Sequence, residues 1–204
     1  LKTHGNKLPS EQYYLQEGIT YTDPTSKGLA FRYMPTNHLI SGAGPGIYLG
    51  EFKNVYYLLG FLNSPLVRYV ASCLNSTVHT TQGDIKNFPF VSPAKTKIES
   101  VSKLSRLNVD INVHLCSFKI YEFNFETHPF LRFEKVTLKD CIKSFCDYEN
   151  YLTTQVFINE AIIFEAIFEV YDLTKHDKAM VLAKEGESIG GLQVTSEARD
   201  AYLA

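Results

Sequence analysis

The stretch TVHTTQGDIKNFPF, Thr77 to Phe90, sets Thr77, Thr80, Thr81, His79 and Gln82 just ahead of Gly83 and closes on Phe88-Pro89-Phe90. Hydroxyl, imidazole and amide groups supply donors and acceptors together, which suits contact with a polar partner. Catalytic candidates elsewhere are weaker. Glu160, Glu165 and Glu169 place carboxylates among the apolar residues of INEAIIFEAIFEVYDL, and Glu165 and Glu169 stand four apart, so paired acid–base chemistry is imaginable. The same spacing describes a solvated helix edge, and no catalysis is assigned to them. Gly42, Gly44 and Gly46 in SGAGPGIYLG invite a phosphate-loop reading. Their spacing matches neither GxGxxG nor GxxxxGK[ST], and Pro45 removes one of the amides an anion would need, so a tight turn into a strand is expected. There is no HExxH and no Ser, His and Asp at recognisable spacing. Cys73, Cys116, Cys141 and Cys146 form no Cys-x-x-Cys pair and stand at no finger-like distance from a histidine; they read as reduced thiols used as small hydrophobes, and no metal site is expected.

The elements that must position the polar stretch follow from composition and pattern. The 204 residues are 45% hydrophobic and 13% aromatic, enough for a packed core in one large domain or two small ones. No run of about 18 apolar residues occurs, and LKTHGNKLPS has neither a starting Met nor a signal-like apolar stretch. The chain therefore reads as cytoplasmic, without a membrane partner, and as a piece of something longer. Its formal charge of −2 is uneven: residues 1–100 carry nine Lys and Arg against six Asp and Glu, and residues 101–204 carry eleven against sixteen. The first half is the better candidate for a polyanionic partner.

Short runs rich in aromatic, β-branched or alternating residues, GITYT, GLAFRYMP and GIYLG, are separated by Gly, Pro, Ser and Asn clusters and predict a small, mostly antiparallel sheet. In FKNVYYLLGFLN, Val55, Leu58, Leu59 and Leu62 form one apolar helix face. A second helix follows, with Ser64 as its cap, Pro65 in its first position and a buried stripe of Leu66, Tyr69, Val70, Cys73 and Leu74. Ile98, Val101 and Leu104 suit a connecting helix, HLCSFKIYEFNF reads as extended, and helical periodicity dominates from about 137 to 171. The fold class is α+β: a sheet-and-helix domain over 1–95, a mainly helical region over 96–180, and a tail over 181–204.

An ordered set of motifs sharpens this. Gly18-Ile19-Thr20-Tyr21, Phe31-Arg32-Tyr33-Met34-Pro35, Gly44-Pro45-Gly46-Ile47-Tyr48, YYLLGFLNSPLVRYVASCLNST and the closing QGDIKNFPF resemble the specificity region of large adenine-specific DNA methyltransferases, most nearly those of BREX phage-exclusion systems. FNFETHPF and INEAIIFEAIFEVYDL resemble the region that follows it in that family, so the resemblance covers about residues 13–175. Tyr21 stands where the family usually has Trp, and Ser76 where it usually has Pro. The Gly-rich cofactor loop and the Asn-Pro-Pro-Tyr/Phe that holds a flipped adenine are absent from this sequence; only Asp23-Pro24 and Ser64-Pro65 come near the latter.

The resemblance implies that residues 1–95 are a target recognition domain for double-stranded DNA. No cofactor is expected in this chain, and S-adenosylmethionine is expected in a catalytic domain outside it. Base edges in the major groove present patterns that amide, guanidinium, imidazole and hydroxyl groups read. Gln82 is then a candidate for bidentate contact with adenine and Arg32 with guanine, while His79, Thr80 and Thr81 reach bases or phosphates. Lys27, Lys53, Arg68 and Lys86 are candidates for sequence-independent phosphate contacts. Two alternatives stand beside this: the specificity domain of a nuclease-fused restriction-modification enzyme, or a non-enzymatic module that docks other phage-defence subunits.

Overall fold

The structure is a computed structural model that describes residues 11–23, 28–40, 44–75, 77, 79–133 and 135–185. Lys27, Ser76, the Gly42 position and residues 186–204 of the expected tail lie outside the described residues. Among the described residues the architecture is α+β, with three short antiparallel strands and six α-helices.

β1 (Gly18–Tyr21) is the central strand, flanked by β2 (Phe31–Met34) and β3 (Gly46–Ile47) in the order β2-β1-β3. Ile19 faces Tyr33 on one side and Ile47 on the other, and Thr20 pairs with Arg32. Gly18 is required by contact rather than by backbone torsion, because a Cβ there would lie 2.6 Å from the Ile47 carbonyl oxygen. The expected third strand is real but only two residues long.

α1 (Val55–Leu62) opens with the Asn54 side chain accepting from Tyr57 N–H at 3.0 Å. Val55, Leu59 and Leu62 are buried as their spacing predicts, and Tyr57, Gly60 and Phe61 are buried too, because α1 is covered by the sheet and by two later helices. At its end Asn63 acts as a substitute strand: its amide accepts from Phe31 N–H and donates to Phe31 C=O, each at 3.0 Å, satisfying the backbone of β2. α2 (Pro65–Leu74) starts as its sequence predicts, with Ser64 Oγ accepting from Val67 N–H and Pro65 in the first turn. Its buried stripe is shorter than expected. Leu66 and Val67 are buried and Tyr69 and Val70 half-buried, but Cys73 and Leu74 are exposed, since α2 runs past the edge of the core.

α3 (Gln82–Lys86) is a short helix, and α4 (Lys95–Cys116) and α5 (Leu138–Val170) form a long hairpin. The pairings Lys97–Glu169, Asn108–Asn159 and His114–Tyr148 show that its helices run antiparallel. The extended reading of HLCSFKIYEFNF is corrected here. Val101, Ser105, Asn108 and Ile111 bury one continuous helical face, which carries α4 through His114, Leu115 and Cys116 before the chain breaks into turns. β-propensity in that aromatic run is overridden because no strand lies alongside it.

α6 (Lys175–Glu185) packs against α2. One hydrophobic core joins Ile19, Tyr21 and Phe31 of the sheet, Tyr57, Phe61 and Leu62 of α1, Val101 of α4, Ile163, Ile167 and Phe168 of α5 and Val181 of α6. Gly60 lets α4 and α5 approach α1: a Cβ there would stand 2.6 Å from Ser105 Oγ and 3.2 Å from an Ile163 methyl. Beyond the buried Asn159–Asn108 amide bond of 2.7 Å, the hairpin continues with a second small cluster, Ile111, Leu152 and Val156. Among the described residues, no helix is long and apolar enough to cross a membrane.

Candidate nucleic-acid interface

The polar stretch singled out in the sequence folds back onto the end of β1. Tyr21, the last residue of that strand, donates from its phenol to Thr80 C=O at 3.3 Å. Two residues on, Asp23 Oδ1 accepts from Thr80 N–H at 3.0 Å and lies 3.4 Å from His79 Nδ1. On the neighbouring strand Arg32, exposed and in register with Thr20, donates to Thr22 Oγ1 at 2.8 Å. The end of β1 thus meets His79 and Thr80 through Tyr21 and Asp23, while Arg32 is held at the same strand end by Thr22.

From the other side the loop is held by Asn75, which follows α2. Its amide donates to His79 C=O and to Asp84 Oδ2, both at 2.9 Å, and its oxygen accepts from Thr77 N–H at 2.9 Å. Thr77 Oγ1 donates to the same His79 carbonyl at 3.1 Å. Thr81 then caps α3 in a reciprocal capping box: Thr81 Oγ1 accepts from Asp84 N–H, and Asp84 Oδ2 accepts from Thr81 N–H at 2.8 Å. The Asn75 bond, and then the two from Thr81, hold the Asp84 carboxyl below the usual carboxylate range. Burial, and then the Asp23 and Asp84 charges, push the Tyr21 phenol up.

This arrangement changes the role of several residues. The hydroxyls of Thr77 and Thr81 are engaged in holding the loop's own backbone, and Thr81 Oγ1 also donates to Asp84 Oδ2 at 2.9 Å. Gln82 and Gly83 are the first two residues of α3, so helix capping at Thr81, and not a glycine turn, sets where Gln82 stands. Gln82 and Lys86 are both exposed on that helix, and the His79 side chain is 62% exposed. Thr80 is half-buried beneath them.

Two of the expected phosphate contacts stand apart. Lys53 is exposed in the loop before α1 and shares no hydrogen bond or ion pair with this group among the described residues. Arg68, on α2, is half-buried and its charge acts on Glu160 of α5. Sequence reasoning missed Asp23 and Asn75 as organisers of the loop. The T-x-x-D pattern of Thr81 and Asp84 was a readable capping signal; nothing local marks Asp23, whose partners are 56 and 57 residues away.

The three glutamates of α5 prove dissimilar. Glu169 pairs with Lys97 of α4, and Glu165 with Lys178 of α6 at 2.7 Å, so each ties α5 to another helix. Glu160 departs from the solvated-edge expectation: one carboxyl oxygen is sequestered without a hydrogen-bond partner, and burial raises its pKa to about 7 against the opposing pull of Arg68. The thiol expectation is also modified, since Cys73 and Cys146 are exposed rather than packed.

No protein-family model matches the chain. Among curated proteins it is similar to the adenine-specific methyltransferase BrxX of Escherichia coli O9:H4 (strain HS), with 25% identity over 173 residues. That similarity covers 83% of this chain and 14% of the relative, so the chain spans a small part of that protein's length.

Proposed function

We propose that this chain is the DNA sequence-recognition part of a site-specific adenine-N6 DNA methyltransferase in phage defence, with S-adenosylmethionine binding and methyl transfer carried by sequence outside it. The observation that carries the reading is the similarity to an adenine-specific methyltransferase over most of this chain and a minor part of the relative. The sequence itself supports the division of labour, because it holds no Asn-Pro-Pro-Tyr/Phe and no Gly-rich cofactor loop.

On this reading, exposed polar groups contact DNA and bonded ones hold the loop. Arg32, His79, Gln82 and Lys86 are exposed, Thr80 is half-buried, and Thr81, though exposed, has its hydroxyl engaged in the cap of α3. Gln82 offers an amide for an adenine edge, Arg32 a fork for guanine, and Lys86 a charge for phosphate. Extrusion of the target adenine belongs to the catalytic part, which grips the same duplex.

Selection of this chain against a randomised duplex library tests the reading. A shared motif should emerge, and binding should weaken with salt, the slope falling by about one in Lys86→Ala. Gln82→Ala should relax one base pair of the motif by about 1–3 kcal/mol without lowering the melting temperature. Salt-independent binding, or no enriched motif, would return the chain to the protein-docking alternative.

A further inference from the structure

Among the groups that hold the loop between α2 and α3 is one carboxylate from just beyond a distant strand end. Asp23 Oδ1 serves the Thr80 N–H and the His79 ring at once, at 3.0 and 3.4 Å. Its side chain is 24% exposed, so it lies under the loop but close to solvent, while His79 projects above it. The other groups around the site are already engaged: Asp84 with Thr81 and Asn75, Arg32 with Thr22, and the Tyr21 phenol with Thr80 C=O. Among the described residues, Asp23 is an acid whose charge falls on a candidate reading side chain and is not engaged in a helix cap.

A negative charge in the middle of a DNA-reading surface opposes contact with phosphate, and this cost applies to every sequence alike. A base contact made by a correctly placed side chain overcomes it only at the matching sequence. We infer that Asp23 is a positioning and specificity-setting residue: it fixes His79 and Thr80 in one arrangement and disfavours binding through the phosphate backbone alone. The inference rests on the DNA-recognition reading above. It names as the loop's organiser a residue that would not itself need to touch a base.

The test uses the same chain with the motif enriched by wild type and a scrambled duplex of equal length, measured for wild type, Asp23→Asn and Asp23→Ala alongside melting temperature. Both variants lose the charge, so both should bind the scrambled duplex about threefold tighter, the scale of one screened surface charge. Asp23→Asn keeps an oxygen for Thr80 N–H, whereas Asp23→Ala releases the loop. The ratio of motif to scrambled affinity should therefore fall about tenfold in Asp23→Ala and visibly less in Asp23→Asn. A residue that only stabilised the fold would weaken both duplexes together, and that result, or an unchanged ratio in both variants, overturns the inference. Should Asp23→Ala not fold, Asp23→Asn decides by itself: tighter scrambled binding with a lower ratio sustains the inference, and wild-type values for both overturn it. If wild type enriches no motif, the recognition reading fails first and the inference falls with it; a wild-type motif with indifferent variants sinks the inference alone.

Discussion

The loop between α2 and α3 and the tip between α4 and α5 are both surface connections, but they are held by opposite means. In the first, polar side chains bond to one another and to β1 across 57 and 59 residues of chain, through Asp23 to Thr80 and Tyr21 to Thr80. In the second, backbone turns close locally, Lys119 to Cys116, Glu122 to Lys119 and Phe125 to Glu122, and Phe118 and Phe130 pack on Phe145 of α5 while other apolar side chains stay in solvent. Phe123 and Val136 are fully exposed, and Ile120, Tyr121 and Leu131 are more than three-quarters exposed. Polar bonds tie the first to β1, α2 and α3, whereas aromatic packing ties the second to the start of α5.

The sharpest way to break this contrast is a pair of identical truncations. Phe61 is 1% exposed and stacks parallel to Tyr171 and edge-on to Phe90, so Phe61→Ala should cost about 3–5 kcal/mol in urea unfolding. The loop should loosen with the core and DNA selection should be lost. Phe123→Ala at the tip should stay within about 0.5 kcal/mol of wild type. Comparable losses for the two would show that the tip is packed as tightly as the core.

Glu160 probes the core from its charged side. Its folded pKa is raised to about 7 from an ordinary 4.5, so between those limits the folded protein binds a proton that the unfolded chain has released. Stability should be highest below about pH 4.5 as far as this group is concerned, fall as pH rises through that window, and stay low above pH 7. Glu160→Gln keeps the shape and removes the titration, so it should stabilise the protein at pH 8 by at most about 3 kcal/mol and flatten the profile between pH 5 and 7. A variant less stable than wild type at pH 8 would mean that the Arg68 charge depends on Glu160 more than burial opposes it.

The capping box gives a smaller effect, confined to the loop. Thr81→Ala removes the acceptor of Asp84 N–H and should lower the free energy of local opening of α3 by about 1 kcal/mol. Hydrogen exchange should quicken at the α3 amides and remain slow in α5. Uniformly faster exchange would contradict the view that α3 is fastened at its own start.

Much of the scaffold was legible because its signals are local. Ser64-Pro65 marks the start of α2, GITY forms a strand, and the periodicity after 137 becomes α5 from Leu138 to Val170. A cap, a strand run and a helical stripe depend on residues within one or two turns, so spacing is enough to see them. The hydroxyl-rich stretch was legible as polar, but which of its groups bond within the loop was not. Thr81 shares three hydrogen bonds with Asp84.

What the sequence by itself determined was the α+β class and the helix starts at Ser64 and Thr81, which depend on neighbours in the chain. Tertiary structure alone decided that α4 continues through His114 and Leu115, that Glu160 is sequestered while Glu165 and Glu169 bridge helices, and that Asp23 anchors the loop. Each of those outcomes depends on a partner 13 or more residues away. Burial and long-range hydrogen bonds are set by where other elements pack, and spacing along the chain carries no record of that.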